Sequence, residues 1–156
     1  MTTTTTMIRR RDEGDATWFF NALMTTKATT AETAGAYSLT EHLVTAASNP
    51  PLHVQTDEDE AFYVLDGEIE LEVDGEVVIA TPGTFAFVAR GAQHLFRVLT
   101  PTARMLVICS GKPADNLEDF FLGMGEPATE RALPEPSAPD VERLTELCER
   151  TGIQLV

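Results

Sequence analysis

PPLHVQTDEDEAFYVLDGE, residues 50–68, is the stretch on which the reading of this chain turns. His53, one of only three histidines in 156 residues, is followed two positions later by Gln55. An acidic run, Asp57 to Glu60, leads into an apolar segment, Ala61 to Leu65, closed by Asp66-Gly67. In a strand, side chains at i and i+2 share a face, so His53 and Gln55 project together. Glu60 opens the next strand, and a short reversal brings it beside them. His94 opens a further apolar run, LFRVL. Two imidazole nitrogens, a carboxylate and an amide oxygen from these strands suit one borderline divalent ion: Fe, Mn, Ni, Co or Zn. Gln55 has a second reading, in which it only hydrogen-bonds Glu60 or a buried water and the site has lost a ligand.

Working outward, short runs of Val, Ile, Phe and Leu continue to Ser110. They are broken by DG at 66–67, DG at 74–75, PG at 82–83 and RGAQ at 90–93. Each Asp-Gly pair is flanked by apolar residues and predicts a hairpin. Regularly spaced short strands predict an all-β sandwich or barrel. Upstream, Trp18 to Ala28 reads as one or two strands and Ala36 to Thr45 as another. The pattern changes at Gly111. Residues 115–124, DNLEDFFLGM, carry apolar side chains at 117, 120, 121 and 124, a helical stripe. A Pro-rich connector follows at 126–139. Asp140 then caps a final helix with Val141, Leu144, Leu147 and Cys148 on one face and Gly152 as its stop. Ile153 to Val156 suits an edge strand. The expected organisation is a flexible segment over residues 1–15, a β-barrel over 16–112 and a C-terminal helical extension over 113–156.

The spacing resembles that of a small single-domain cupin. The first motif of that family, HxH, three or four residues, Glu, six residues, Gly, reads here as His53-Val54-Gln55, TDED, Glu60, AFYVLD, Gly67. The second, Gly, five residues, Pro-x-Gly, two residues, His, reads as Gly83, TFAFV, Ala89-Arg90-Gly91, AQ, His94. Gln55 stands where the second His belongs, Ala89 where the Pro belongs, and Val98 where an Asn is usual. The resemblance implies a double-stranded β-helix (a jelly-roll or cupin barrel) with one or two C-terminal α-helices. It implies one divalent metal ion held by His53, Glu60 and His94, with Gln55 as fourth ligand. It also implies a homodimer, and Glu60 as the group that takes a substrate proton.

By strand alternation, His94 shares its face with Phe96 and Val98, and Glu60 shares its face with Phe62 and Val64. These four side chains are the expected pocket for a small aromatic or enolisable substrate. The resemblance favours a quercetinase-like dioxygenase. A redox-silent cyclase, isomerase or lyase and a non-catalytic binding module are the alternatives. Asp57, Glu58 and Asp59 read as a solvated loop. His42 and Glu41 have no partner at ligand spacing and read as surface residues or as support behind the site. Cys109, in MLVICS, reads as a buried small hydrophobe. Phe120 and Phe121 are expected to close the barrel mouth. Trp18, Phe19 and Phe20 are expected to cover one end or to meet a second subunit.

The bulk numbers exclude other classes. With 25 acidic and 11 basic residues the formal charge is −14, which repels nucleic acid and anionic membrane surfaces alike. No apolar run approaches the roughly 18 residues needed to span a bilayer. The basic residues near the N-terminus are followed by Asp12, Glu13 and Asp15 rather than an apolar core, so a cytoplasmic protein with reduced cysteines is expected.

Overall fold

A computed structural model describes residues 5–156. The mobility expected of residues 1–4 lies outside the described residues. The strands are β1 (Ala16–Phe19), β2 (Ala22–Ala28), β3 (Ser38–Val44), β4 (His53–Gln55), β5 (Asp59–Asp66), β6 (Ile69–Val73), β7 (Glu76–Ala80), β8 (Phe85–Val88), β9 (Gln93–Val98), β10 (Ala103–Ser110), β11 (Glu126–Pro127) and β12 (Ile153–Leu155). Helix α1 spans Leu117–Met124 and α2 spans Val141–Thr151. The strands form two antiparallel sheets, β11-β1-β2-β3-β10-β5-β8 and β12-β4-β9-β6-β7. The fold is the expected all-β jelly roll with two helices.

The two Asp-Gly turns play different parts. Asp74 and Gly75 both have positive φ, 48° and 83°, and close a two-residue hairpin in which Val73 pairs with Glu76. Asp66-Gly67, also expected to close a hairpin, instead carries the chain from β5 in one sheet to β6 in the other. Gly67 sits at φ 73°, and a Cβ there would lie 2.4 Å from the Thr102 carbonyl oxygen. Backbone crowding at the crossover, rather than hairpin twist, explains this glycine.

The inner faces of the sheets meet in a core that includes Val44, Val64, Ile69, Leu71, Val88, Met105 and Val107. Along β10 the burial alternates strictly, with Ala103, Met105, Val107 and Cys109 inward, as the period of a strand requires. The C-terminal segment is part of the same core. Leu117, Phe120 and Phe121 of α1, Leu147 and Cys148 of α2, and Ile153 of β12 all belong to it. Asn116 and Asp140 accept backbone N–H groups at the two helix N-termini, and Gly152 ends α2 in the left-handed conformation at φ 76°. The edge strand β12 then pairs with β4, placing Ile153 opposite Gln55. On the outer face of β5 and β8, Tyr63, Phe85 and Phe87 are exposed.

Part of the N-terminal segment is tied to the barrel. The Lys27 ammonium donates to the carbonyls of Arg10, Arg11 and Glu13 at 2.7, 2.7 and 2.9 Å. Arg9 forms a two-point ion pair with Glu32 at 2.6 and 3.0 Å. That guanidinium, with the Thr29 backbone N–H, holds the Glu32 carboxyl down to about 2. A depressed carboxylate contributes stability that is complete above its unfolded pKa and is lost as pH falls through the folded one. Thermal unfolding followed from pH 5 to pH 2 should therefore show a steeper acid loss for the wild-type chain than for Glu32→Gln. The two should differ by a few tenths to about 1 kcal/mol at neutral pH, as expected of a part-exposed pair.

Candidate metal centre

The two sequence motifs meet edge to edge. β4 pairs with β9 so that His53 stands opposite His94, with the imidazole centroids 4.3 Å apart. The turn before β9 is latched to the first motif. Gly91 N–H donates to the Gln55 carbonyl at 2.8 Å, and Arg90 donates to Asp59 through its backbone N–H and its guanidinium. Glu60 arrives from the other sheet, on β5. Its Oε2 accepts from Gln55 Nε2 at 2.7 Å and lies 3.0 Å from His94 Nε2. One ligand atom from each of His53, Glu60 and His94 lies within 4.8 Å of the others, a grouping that fits a metal ion.

Both imidazoles are oriented for ligation by Nε2. Nδ1 of His53 donates to the Pro51 carbonyl at 2.8 Å, and Nδ1 of His94 to the Ala92 carbonyl at 3.1 Å. A carbonyl only accepts, so each Nδ1 carries a proton; Nε2 of His53 is open, whereas Nε2 of His94 bears a second proton when it bonds Glu60 and gives it up to become a ligand position. Gln55 is fixed in the same way. Glu60 needs a donor, so the amide nitrogen faces it, and Gln55 Oε1 is left buried without a partner. A buried amide oxygen with nothing to accept costs about 1–3 kcal/mol. A cation beside His53, Glu60 and His94 would satisfy it. His53, Glu60 and His94 fit a divalent ion, and Gln55 makes the hydrogen bond to Glu60 that its second reading expected.

Charge at the centre is balanced within it. Burial works to raise the Glu60 carboxyl, but the His94 hydrogen bond and the charges of His94 and His53 outweigh it and hold the group below its usual range. Burial likewise works to lower His94, and Glu60 reverses this. His53 is lowered, by burial first and then by the neighbouring His94. Glu60 Oε1 makes no hydrogen bond among the described residues and is the carboxylate oxygen left for a ligand.

Above the centre lies a cavity of about 290 Å³, at the small end of ligand pockets. Phe62 and Phe96 line it as expected. Val64 and Val98, expected beside them, are packed into the barrel core and do not line it. They share the predicted face but lie further along their strands, beyond the cavity floor. Phe120 and Phe121 of α1 form part of the wall, together with Phe19 and Phe20. Trp18 is covered by the chain's own connector, its indole N–H donating to the Ala132 carbonyl at 2.9 Å.

Two residues escaped sequence reasoning. Glu58, expected in a solvated loop, is only 4% exposed and accepts the backbone N–H of Leu117 at 2.6 Å, tying α1 to the turn that carries Glu60. Burial pushes its carboxyl up to about 7. His42, expected at the surface or behind the site, is buried and lines the cavity. The shared parity of Ser38, Thr40, His42 and Val44 on β3 was the available signal, although Glu41 between them is buried as well. Cys109 is a buried core thiol, as expected, and burial pushes its pKa up.

The arrangement, a histidine- and glutamate-bearing centre in the mouth of an antiparallel double-stranded barrel, defines the cupin class. Residues 40–110 match the family described as the cupin domain, and the chain has the fold of the small cupins. It is similar to quercetin 2,3-dioxygenase of Bacillus subtilis, with 30% identity over 107 residues. That match covers 62% of this chain but only 32% of the relative, so the chain spans about a third of its length. Among solved structures it is similar to a predicted oxalate decarboxylase from Thermotoga maritima, with 20% identity and TM-score 0.61 over 68% of this chain and 100% of that one. It is also similar to an RmlC-like cupin from Shewanella frigidimarina, with 16% identity and TM-score 0.58 over 70% of this chain and 96% of that one. No helix among the described residues is long and apolar enough to cross a membrane.

Removing one donor at the centre should lower metal affinity sharply. Elemental analysis after purification without chelator should find metal in the wild-type protein and at least tenfold less in His94→Ala and Glu60→Ala. Gln55→His should change the identity or the occupancy of the metal. Unchanged metal content in Gln55→His would place Gln55 outside the coordination sphere.

Proposed function

We propose that the protein is a metal-dependent enzyme acting on a small aromatic or enolisable substrate, and that its reaction is a quercetinase-like dioxygenation. The observation that carries this reading is the orphaned Gln55 Oε1 beside His53, Glu60 and His94, at one end of a cavity walled by aromatic rings. The similarity to a quercetin dioxygenase supports the choice of reaction. Metal ligation falls to Nε2 of His53, Nε2 of His94, a Glu60 oxygen and Gln55 Oε1. A divalent ion held there would supply a Lewis acid that makes the substrate's hydroxyl more acidic. Glu60 then takes the enol proton, with Oε2 held by Gln55 and Oε1 turned to the substrate. The resulting electron-rich enolate is the partner for dioxygen, and both oxygen atoms pass into the products. Phe62 and Phe96 hold the ring and keep water away from the reacting carbon.

A redox-silent lyase or isomerase is the second reading. It is favoured by Gln55 in place of an imidazole, because polarising a carbonyl does not require a third nitrogen ligand. Oxygen uptake separates the two. Protein loaded with Fe, Mn, Ni or Co should consume oxygen in proportion to a flavonol or an enediol, and Glu60→Gln should lower the rate about 10²- to 10⁴-fold. Substrate turnover without oxygen uptake would move the assignment to the second reading.

A further inference from the structure

His42 has no place in the metal centre, yet it is 6% exposed and lines the same cavity from β3. In the sheet it pairs with Met105, which pairs in turn with Val64; Glu60 pairs with Cys109, two inward positions further along β10. The cavity therefore has a polar group at each of two separated positions, with Phe62, Val107, Phe121 and other apolar side chains between them. The His42 ring is fixed edge-on to Phe19 and Phe121, at centroid distances of 6.4 and 5.5 Å.

Its two nitrogens are not equivalent. Nε2 lies 2.9 Å from the Thr40 hydroxyl. That hydroxyl also reaches the Val107 carbonyl, at 3.5 Å; in the tautomer where it donates there, its oxygen takes the Nε2 proton. Nδ1 is then the bare lone pair, and it has no hydrogen-bond partner among the described residues. Burial pushes the imidazole down to about 4, against the opposing charge of Glu60, so the ring is neutral and its lone pair open at physiological pH. An acceptor without a protein partner on the wall of a ligand-sized cavity is a group kept for the ligand.

We infer that His42 is a specificity residue that accepts a hydrogen bond from a hydroxyl on the substrate, at the end remote from the oxygens held at the metal centre. This deepens the proposed function and rests on it for the orientation of the substrate. The ligand class becomes a flat aromatic molecule with an enol or hydroxyketone at one end and a hydroxyl donor at the other. Molecules with an ether or a bare C–H in the distal position leave Nδ1 unpaired and bind less well.

The test is anaerobic binding to cobalt-loaded protein, followed by the absorbance of two probes. One is an unsubstituted flavonol; the other is the same flavonol with one hydroxyl on the ring remote from the hydroxyketone. Wild-type protein should bind the hydroxylated probe about tenfold more tightly. His42→Phe should bind both equally, with the affinity for the plain probe retained. His42→Asn, which keeps an acceptor at that position, should recover part of the preference. The inference is overturned if wild-type protein does not discriminate between the probes, if it binds neither, or if His42→Phe keeps the preference. Because binding is read without turnover, it is independent of the dioxygenase assignment. Discrimination through His42 in a protein that consumes no oxygen would remove that assignment and leave this one standing.

Discussion

A single buried carboxylate joins the two sheets at the site. Glu60 projects from the seven-stranded sheet, while Gln55 and His94 project from the five-stranded one, and all three are at most 5% exposed. A carboxylate removed from water costs several kcal/mol unless its oxygens find donors, and here an amide N–H and an imidazole both meet Oε2. The match works in one relative position of the sheets. The latch between the Arg90-Gly91 turn and the Asp59 and Gln55 side of the first motif holds that position from outside. The geometry that suits a metal ion is thus also the geometry that satisfies a polar cluster in the barrel interior.

Much of this was legible in the sequence because strand alternation and motif spacing are one-dimensional signals. His53, Gln55 and Glu60 sit at distances set by a strand and a short turn, and His94 by the matching turn of the second motif. Phe62 and Phe96 follow from the same parity. Parity gives a face but not a depth, which is why Val64 and Val98 turn out to be core residues. Glu58 was hidden among Asp57, Asp59 and Glu60, since only one of four adjacent acids meets the N-terminus of α1. His42 was hidden for a different reason: its role depends on the cavity between distant elements, and nothing near it in sequence reports that cavity. The Asp66-Gly67 pair had the composition of a hairpin turn, but the change of sheet at this point is decided by the packing of Gly67 against Thr102 and Ala103.

The departures from the family pattern read coherently against the geometry. At position 55 an amide offers a donor to Glu60 and an acceptor to a cation, whereas an imidazole with one nitrogen on the metal would have to turn the other elsewhere. The Gln therefore keeps the inter-sheet hydrogen bond and leaves a buried acceptor, Oε1, unpartnered in one side chain. At position 89 the missing proline removes a source of stiffness from the turn, and the Arg90–Asp59 ion pair supplies a restraint in its place.

The bond from Leu117 to Glu58 bears on how molecules reach the cavity. Swinging α1 outward would strip a buried carboxylate of its backbone partner and pull Phe120 and Phe121 from the core, so the roof is expensive to lift. The lining residues that are exposed include Ala47, Asn49, Pro51, Pro139 and Leu155, none of them on α1. The exposed part of the cavity wall thus includes prolines, which have little torsional freedom. An edge built this way keeps its width, because its backbone has few other conformations to adopt.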